Sequence, residues 1–245
     1  MYRFCTTSFL VCLSIVLFCG NGVRAEDLEG RIILSNDFLK AVRYTPDRSP
    51  DFYWNEPNGI LNVREPGISF ADEFAAVLIP PSATVAPPDN LLSISIKNAE
   101  IEKEIITVHK GTTIRFRNEE PFVHELYSPD IPDFQPEMQS TNAVRQIVFD
   151  TLGTYKIRCR RMPHIISYVL VLASPFILDI SKDGSFSISN IVPGQYTLKV
   201  FFKGRWIHEE IVEIKEKIKN VIKVELKTPE PEKDKKADLK ITKSI

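Results

Sequence analysis

Cysteine is nearly absent from the body of this chain. Cys5, Cys12 and Cys19 lie at the extreme N-terminus, and only Cys159 lies beyond them. Once an N-terminal leader is removed, no internal disulfide is available. A solitary thiol in an oxidising compartment is a liability unless it is buried, joined to another chain or bound to a metal. Glycine is also scarce, at 10 residues against 17 prolines. Helical periodicity over any long stretch is missing, which turns the reading toward strands and proline-marked loops. No charge of either sign dominates, with 31 Lys+Arg against 32 Asp+Glu, and that excludes nucleic acid as a natural partner. Long apolar runs are missing after position 19. Histidine and methionine number 4 and 3, so few residues can supply soft or imidazole ligands.

What is present begins with a leader. Arg3 supplies a positive start, Phe9 to Cys19 is apolar apart from Ser14, and Val23-Arg24-Ala25 fits a small-residue cleavage site. The run is too short for a bilayer core of about 30 Å, so residues 1–25 are expected to be a removed signal peptide, with Glu26 first in the mature chain. Without Arg3 and Arg24, 29 basic residues face 32 acidic ones. The mature chain is expected to have no membrane span and to occupy the periplasm or an equivalent lumen.

Residues 26–73 read as an irregular N-terminal extension. Gly30 to Leu34 could be a strand, and Tyr44 to Pro66 is rich in Pro, Asn, Asp and aromatics. Phe74 to Ile79 reads as a buried strand, followed by the prolines at 80, 81, 87 and 88. From Leu91 the alternation is plain: Leu92, Ile94 and Ile96 share one face. Ile105 to Val108, Thr113 to Arg117, Val144 to Phe149, Thr154 to Arg158 and Tyr168 to Leu172 follow. Short strands at this spacing indicate a sandwich or barrel. A second unit starts near Pro175, with an Asp183-Gly184 hairpin turn, a Pro193-Gly194 turn, and strands near 196–202, 206–214 and 221–226. Residues 228–245 are rich in Lys, Glu, Asp and Pro, and are expected to be a disordered charged tail.

The polar residues that could act together are His124, Cys159, Met162 and His164. Thiolate, imidazole and thioether suit copper, because sulfur favours the reduced ion and imidazole tolerates both states. Each residue also has a plainer reading: a cysteine is often simply buried, and a histidine before a turn is often on the surface. Arg158, Arg160 and Arg161 would favour thiolate, yet would repel a metal cation or dock an anionic partner. His109 and His208 read as surface residues. Glu119-Glu120 and Glu209-Glu210 are adjacent in sequence and point apart on a strand. No nucleophile elbow, phosphate loop, zinc-protease helix or dinucleotide fingerprint occurs, so no enzyme is expected.

Gly111-Thr112-Thr113-Ile114-Arg115-Phe116-Arg117-Asn118, followed by Pro121-Phe122-Val123-His124, resembles the cupredoxin strand that leads to a ligand histidine. Gly153-Thr154-Tyr155-Lys156-Ile157-Arg158-Cys159 resembles the strand that leads to the ligand cysteine. Ser174-Pro175-Phe176, Asp183-Gly184-Ser185-Phe186 and Ile191 to Val200 resemble a carboxypeptidase regulatory-like sandwich. The tandem is similar to bacterial exported plastocyanin-like proteins. The resemblance implies an all-β chain: a cupredoxin-like Greek-key sandwich over 74–173, then a small carboxypeptidase regulatory-like (transthyretin-like) β-sandwich over 174–227.

The ligand loop departs from that pattern. The group usually has Cys-x-x-His-Pro-x-Met, whereas Cys159 is followed by Met162, Pro163 and Ile165 at those positions. His164 stands five residues after Cys159, similar to the longer azurin loop, where the axial methionine would fall at Tyr168. The resemblance thus implies copper held by His124, Cys159 and His164, with Met162 a displaced weak ligand. It implies electron transfer to another exported redox protein docking near the loop. The alternative is a non-catalytic assembly subunit of a larger complex, with a degenerate copper site.

Overall fold

The computed structural model describes residues 25–42, 68–82 and 86–227. The leader and the charged tail expected from the sequence lie outside them, as does the stretch from 44 to 66. The described chain is all-β apart from two short helices, α1 (Asn36–Val42) and α2 (Phe70–Glu73).

One sheet of the sandwich contains β3 (Leu92–Lys97), β4 (Glu100–Ile101), β6 (Thr112–Asn118) and β8 (Val144–Phe149), ordered β4-β3-β6-β8. The facing sheet contains β5 (Ile105–His109), β7 (Leu126–Tyr127), β9 (Gly153–Cys159) and β10 (Ile166–Leu172), ordered β5-β10-β9-β7. The chain changes sheet at most connections. Each sheet therefore contains a parallel pair, β3 with β6 and β5 with β10. Alternation is why β6 is a strand here: Thr112, Ile114, Phe116 and Asn118 point inward, while Arg115 and Arg117 point out. Ile94, Ile96, Ile114 and Phe116 meet Ile157 and Val169 in one core.

The remaining described strands form a seven-stranded sheet. Its strands are β1 (Glu26–Leu34), β2 (Phe74–Ile79), β11 (Phe176–Ile180), β12 (Ser185–Ile191), β13 (Gly194–Phe202), β14 (Arg205–Ile214) and β15 (Asn220–Leu226). The order is β14-β13-β2-β11-β12-β1-β15. Two expected boundaries change. Residues 26–34 are no irregular extension: β1 lies between β12 and β15, antiparallel to one and parallel to the other. Phe74–Ile79 does not open the sandwich, because β2 pairs with β11 and β13. Its unbroken apolar run has a physical reason. Phe74, Ala76 and Leu78 enter the core of the seven-stranded sheet, and Ala75 enters the junction with the sandwich. A strand covered on both faces has no polar side to alternate.

Helix α1 covers part of that core. Ser35 Oγ accepts from the Phe38 N–H at 3.1 Å, an N-cap that satisfies one free donor. Phe38 is fully buried, its ring 5.4 Å from Phe202. Gly30 permits β1 to cross Phe186: a Cβ there would lie 2.3 Å from that ring.

The junction between sandwich and sheet has two parts. Ala75, Ile105, Leu170 and Phe201 are buried together, and Tyr168 packs on Phe201 with ring centroids 6.0 Å apart. Beside this apolar contact runs a polar clip. His109 Nδ1 is 2.7 Å from Asp89 Oδ1, and His109 Nε2 is 3.1 Å from the Ser174 carbonyl. Asp89 Oδ2 also accepts from His109 N at 2.8 Å, and Ser174 Oγ donates to the Leu78 carbonyl. His109 is thus not the surface residue its turn position suggested.

Partial burial opposes ionisation of Asp89, but hydrogen bonds from His109 outweigh it and hold the carboxyl below the usual aspartate range. A depressed folded-state pKa contributes stability above the unfolded value and loses it as pH falls through the folded one. Asp89→Asn should therefore be less stable than wild type near neutrality. The gap should close as pH drops below about 4, where ordinary aspartate protonates. The difference should be modest, since this side chain is 38% exposed. Urea midpoints of the two proteins across acidic pH read it directly.

Candidate metal centre

The centre is assembled at one end of the sandwich, where β6 and β9 finish. Asn118, the last residue of β6, is fully buried. Its Nδ2 donates to the carbonyls of Phe122 at 2.7 Å and Gln139 at 2.9 Å, and its Oδ1 accepts from Glu120 N at 2.9 Å. These bonds fold residues 118–123 back across the strand end. His124 then forms an isolated antiparallel bridge with Gln139, its N–H and C=O bonded at 3.1 and 2.8 Å. Cys159 ends β9 opposite Leu126.

His124 and Cys159 are brought together. Both are buried, at 0% and 2% exposure. His124 Nδ1 lies 3.8 Å from Cys159 Sγ, and the Glu125 N–H points to the same sulfur at 3.5 Å. The other ring nitrogen, Nε2, is 2.8 Å from Glu120 Oε2. A carboxylate oxygen at that distance suits the Nε2–H tautomer, the one that leaves an Nδ1 lone pair facing the sulfur. The separation suits an S–H···N contact. It also suits a shared ion: bonds of about 2.0–2.1 Å to nitrogen and about 2.3 Å to sulfur, at a trigonal angle, place the two donors about 3.8 Å apart.

The other two expected ligands are placed differently. His164 is exposed, and its Nε2 donates to the Ala99 carbonyl at 3.1 Å. Among the described residues, no group of three His, Cys, Asp or Glu side chains is gathered as a metal would need. Met162 is half-buried and packs against the core cluster that contains Cys159 and Ile165. Its carbonyl accepts from Ile165 N at 3.0 Å, closing a tight turn. The donors the structure brings together are thus one thiol and one imidazole, with Met162 packed on the same core cluster. A site with two imidazoles does not fit this arrangement.

Arg160 and Arg161 do not turn to the sulfur. They clasp Glu125, with Arg161 Nε 2.9 Å and Arg160 Nε 3.5 Å from its two oxygens. The Arg161 hydrogen bond, aided by the charges of both arginines, holds Glu125 below the usual carboxylate range. Glu119 and Glu120 do point apart: Glu119 Oε1 accepts from Ser95 Oγ at 2.9 Å on the exposed side, and Glu120 faces inward. Sequence reasoning did not single out Glu120. A carboxylate four residues before a candidate ligand histidine was the available signal.

No family model matches the sequence, and no curated protein does. Solved structures similar to it are cupredoxins. A Cu(I) form of an amicyanin variant is 19% identical, with a TM-score of 0.31, covering 40% of this chain and 98% of that one. A reduced Cu(I) form of another amicyanin variant, determined at pH 4, is 20% identical, with a TM-score of 0.32 over the same shares. A purple cupredoxin from Nitrosopumilus maritimus is 22% identical, with a TM-score of 0.31, covering 33% of this chain and 99% of that one. The described chain is all-β, and its own strand order and pairing define the architecture: two facing four-stranded sheets and a seven-stranded sheet.

Proposed function

We propose that this is an exported copper-binding protein that holds the ion, mainly as Cu(I), between Cys159 Sγ and His124 Nδ1, with the Met162 thioether as third donor. The observation that carries this is the buried thiol–imidazole pair at 3.8 Å, its imidazole backed by a carboxylate. Two sulfurs and one nitrogen form a soft donor set that favours cuprous ion. Burial also protects a lone thiol in an oxidising lumen. Electron transfer to another exported redox protein is the wider role such a centre serves. No helix among the described residues is long and apolar enough to cross a membrane.

One observation favours a second reading. His164 is occupied by the Ala99 carbonyl, which suits a contact-only assembly subunit with a degenerate centre.

Anaerobic titration of the mature protein with Cu(I) against a chromophoric chelator separates the two. Copper binding predicts one ion per chain, lost in Cys159→Ala and His124→Ala and weakened in Met162→Leu. Absence of stoichiometric Cu(I) leaves the assembly reading. Adding Cu(II) then tests the redox role: an intense visible thiolate-to-copper band means that both oxidation states are held.

A further inference from the structure

We propose that Glu120 is the positioning residue of this centre. One of its carboxylate oxygens sets the tautomer and orientation of His124, and the other holds Ala99, whose carbonyl receives His164 from the loop that carries Met162. The proposal rests on the copper reading above and adds to it a device within the fold.

Glu120 is only 8% exposed. A buried carboxylate is costly unless its oxygens are filled, and both are. Oε2 faces His124 Nε2 at 2.8 Å, and Oε1 accepts from Ala99 N at 2.7 Å. Its own N–H is held by Asn118 Oδ1, so the side chain springs from a fixed point. A carboxylate on the distal nitrogen of a metal-binding imidazole fixes the ring and raises the basicity of the nitrogen that binds.

Ala99 is the second observation, independent of the first. Asn98 and Ala99 form the two-residue connection between β3 and β4, with φ of 55° and 57°. Left-handed backbone is unfavourable for alanine, whose Cβ crowds the following carbonyl oxygen. Alanine has no side chain to bond locally, so this turn needs outside support. The support comes from the centre on both sides of one residue: Glu120 takes the Ala99 N–H, and His164 takes the Ala99 carbonyl. His124 and the 159–165 loop therefore hang on the same turn, and Glu120 is the link between them. His164 acts here as a tether that seats Met162 over the core.

The test uses the full mature protein and has one readout that needs no metal. In 15N spectra of the metal-free wild type, His124 should be the Nε2–H tautomer. Glu120→Gln presents an amide donor to Nε2 when its oxygen stays with Ala99. The ring hydrogen should then move to Nδ1, and Cu(I) affinity should fall about 10–100-fold. Glu120→Asp keeps a carboxylate and should restore the Nε2–H tautomer in part, which also covers poor folding of the glutamine variant. A wild-type tautomer and wild-type affinity in Glu120→Gln would overturn the proposal. For the loop, His164→Ala and Met162→Leu should weaken Cu(I) binding by similar factors, and the double variant no more than either alone. Unchanged affinity in His164→Ala would overturn the tethering role. If the wild type binds no Cu(I), the copper reading fails, and the tautomer shift still decides what Glu120 does to His124.

Discussion

A fragment limited to residues 174–227 should be unfolded, whereas residues 26–227 should fold. The fragment contains β11 to β15, a contiguous run that reads as a complete small sandwich. Two of the seven strands of its sheet come from the other end of the chain. β2 separates β11 from β13, and β1 separates β12 from β15. Without them the fragment holds a β11–β12 hairpin, a β13–β14 hairpin and a solitary β15. Isolated hairpins are marginal in water at best. The apolar loss is also large. Leu28, Ile32, Phe38, Phe74, Ala76 and Leu78 are all at most 3% exposed and all leave, uncovering Leu198, Val200 and Phe202. Burial of one such large side chain contributes about 1.5–3 kcal/mol, and a domain's whole stability is about 5–15 kcal/mol. Proton NMR dispersion and far-UV circular dichroism of the two polypeptides decide the matter. A fragment with native-like dispersion would mean that the sheet closes without its N-terminal strands.

That expectation also marks where local pattern stops being informative. Alternation located β3, β6 and β9 because each has one face in a core and one in water. It located β2 as a buried strand, yet an apolar run covered on both faces says nothing about which sheet it enters. β1 showed only the short Gly30 to Leu34 stretch. Its partners are about 150 to 190 residues away, and register across such a distance leaves no local trace. The same limit holds at the centre. Strand-end placement made the meeting of His124 and Cys159 legible, since one follows β6 and the other ends β9. Glu120 was not legible, because its role depends on how residues 118–123 fold back over Asn118. Nor was the Asn98-Ala99 turn, which lacks the glycine that usually announces left-handed backbone. His164 was read by its spacing from Cys159, but the tight Met162–Ile165 turn sends it to Ala99 instead.

Asn118→Ala should cost about 2–5 kcal/mol and weaken Cu(I) binding with it. The side chain is fully buried and makes three hydrogen bonds, two from its amide nitrogen and one to its oxygen. Their loss is uneven. Gln139 O retains the His124 N–H at 3.1 Å, so it keeps a partner. Phe122 O and Glu120 N lose the Asn118 bonds that fold the loop. Glu120 N is buried, and such a group left unpaired costs about 1–3 kcal/mol, while the part-buried Phe122 O costs less. The backbone of Asn118 is unaffected, since its N–H bonds Ala143 O and its C=O accepts from Asn142 N. The substitution therefore reads the side chain alone. Asn118→Asp should be worse than alanine despite its matching shape. It preserves the acceptor for Glu120 N but turns a carboxylate oxygen toward two carbonyl oxygens, and a buried, poorly compensated charge costs more than a missing bond. Urea unfolding of the three proteins gives the order wild type, alanine, aspartate. An alanine variant within about 0.5 kcal/mol of wild type, the usual range for a surface change, would mean that Glu120 and His124 are held in place by the His124–Gln139 bridge alone.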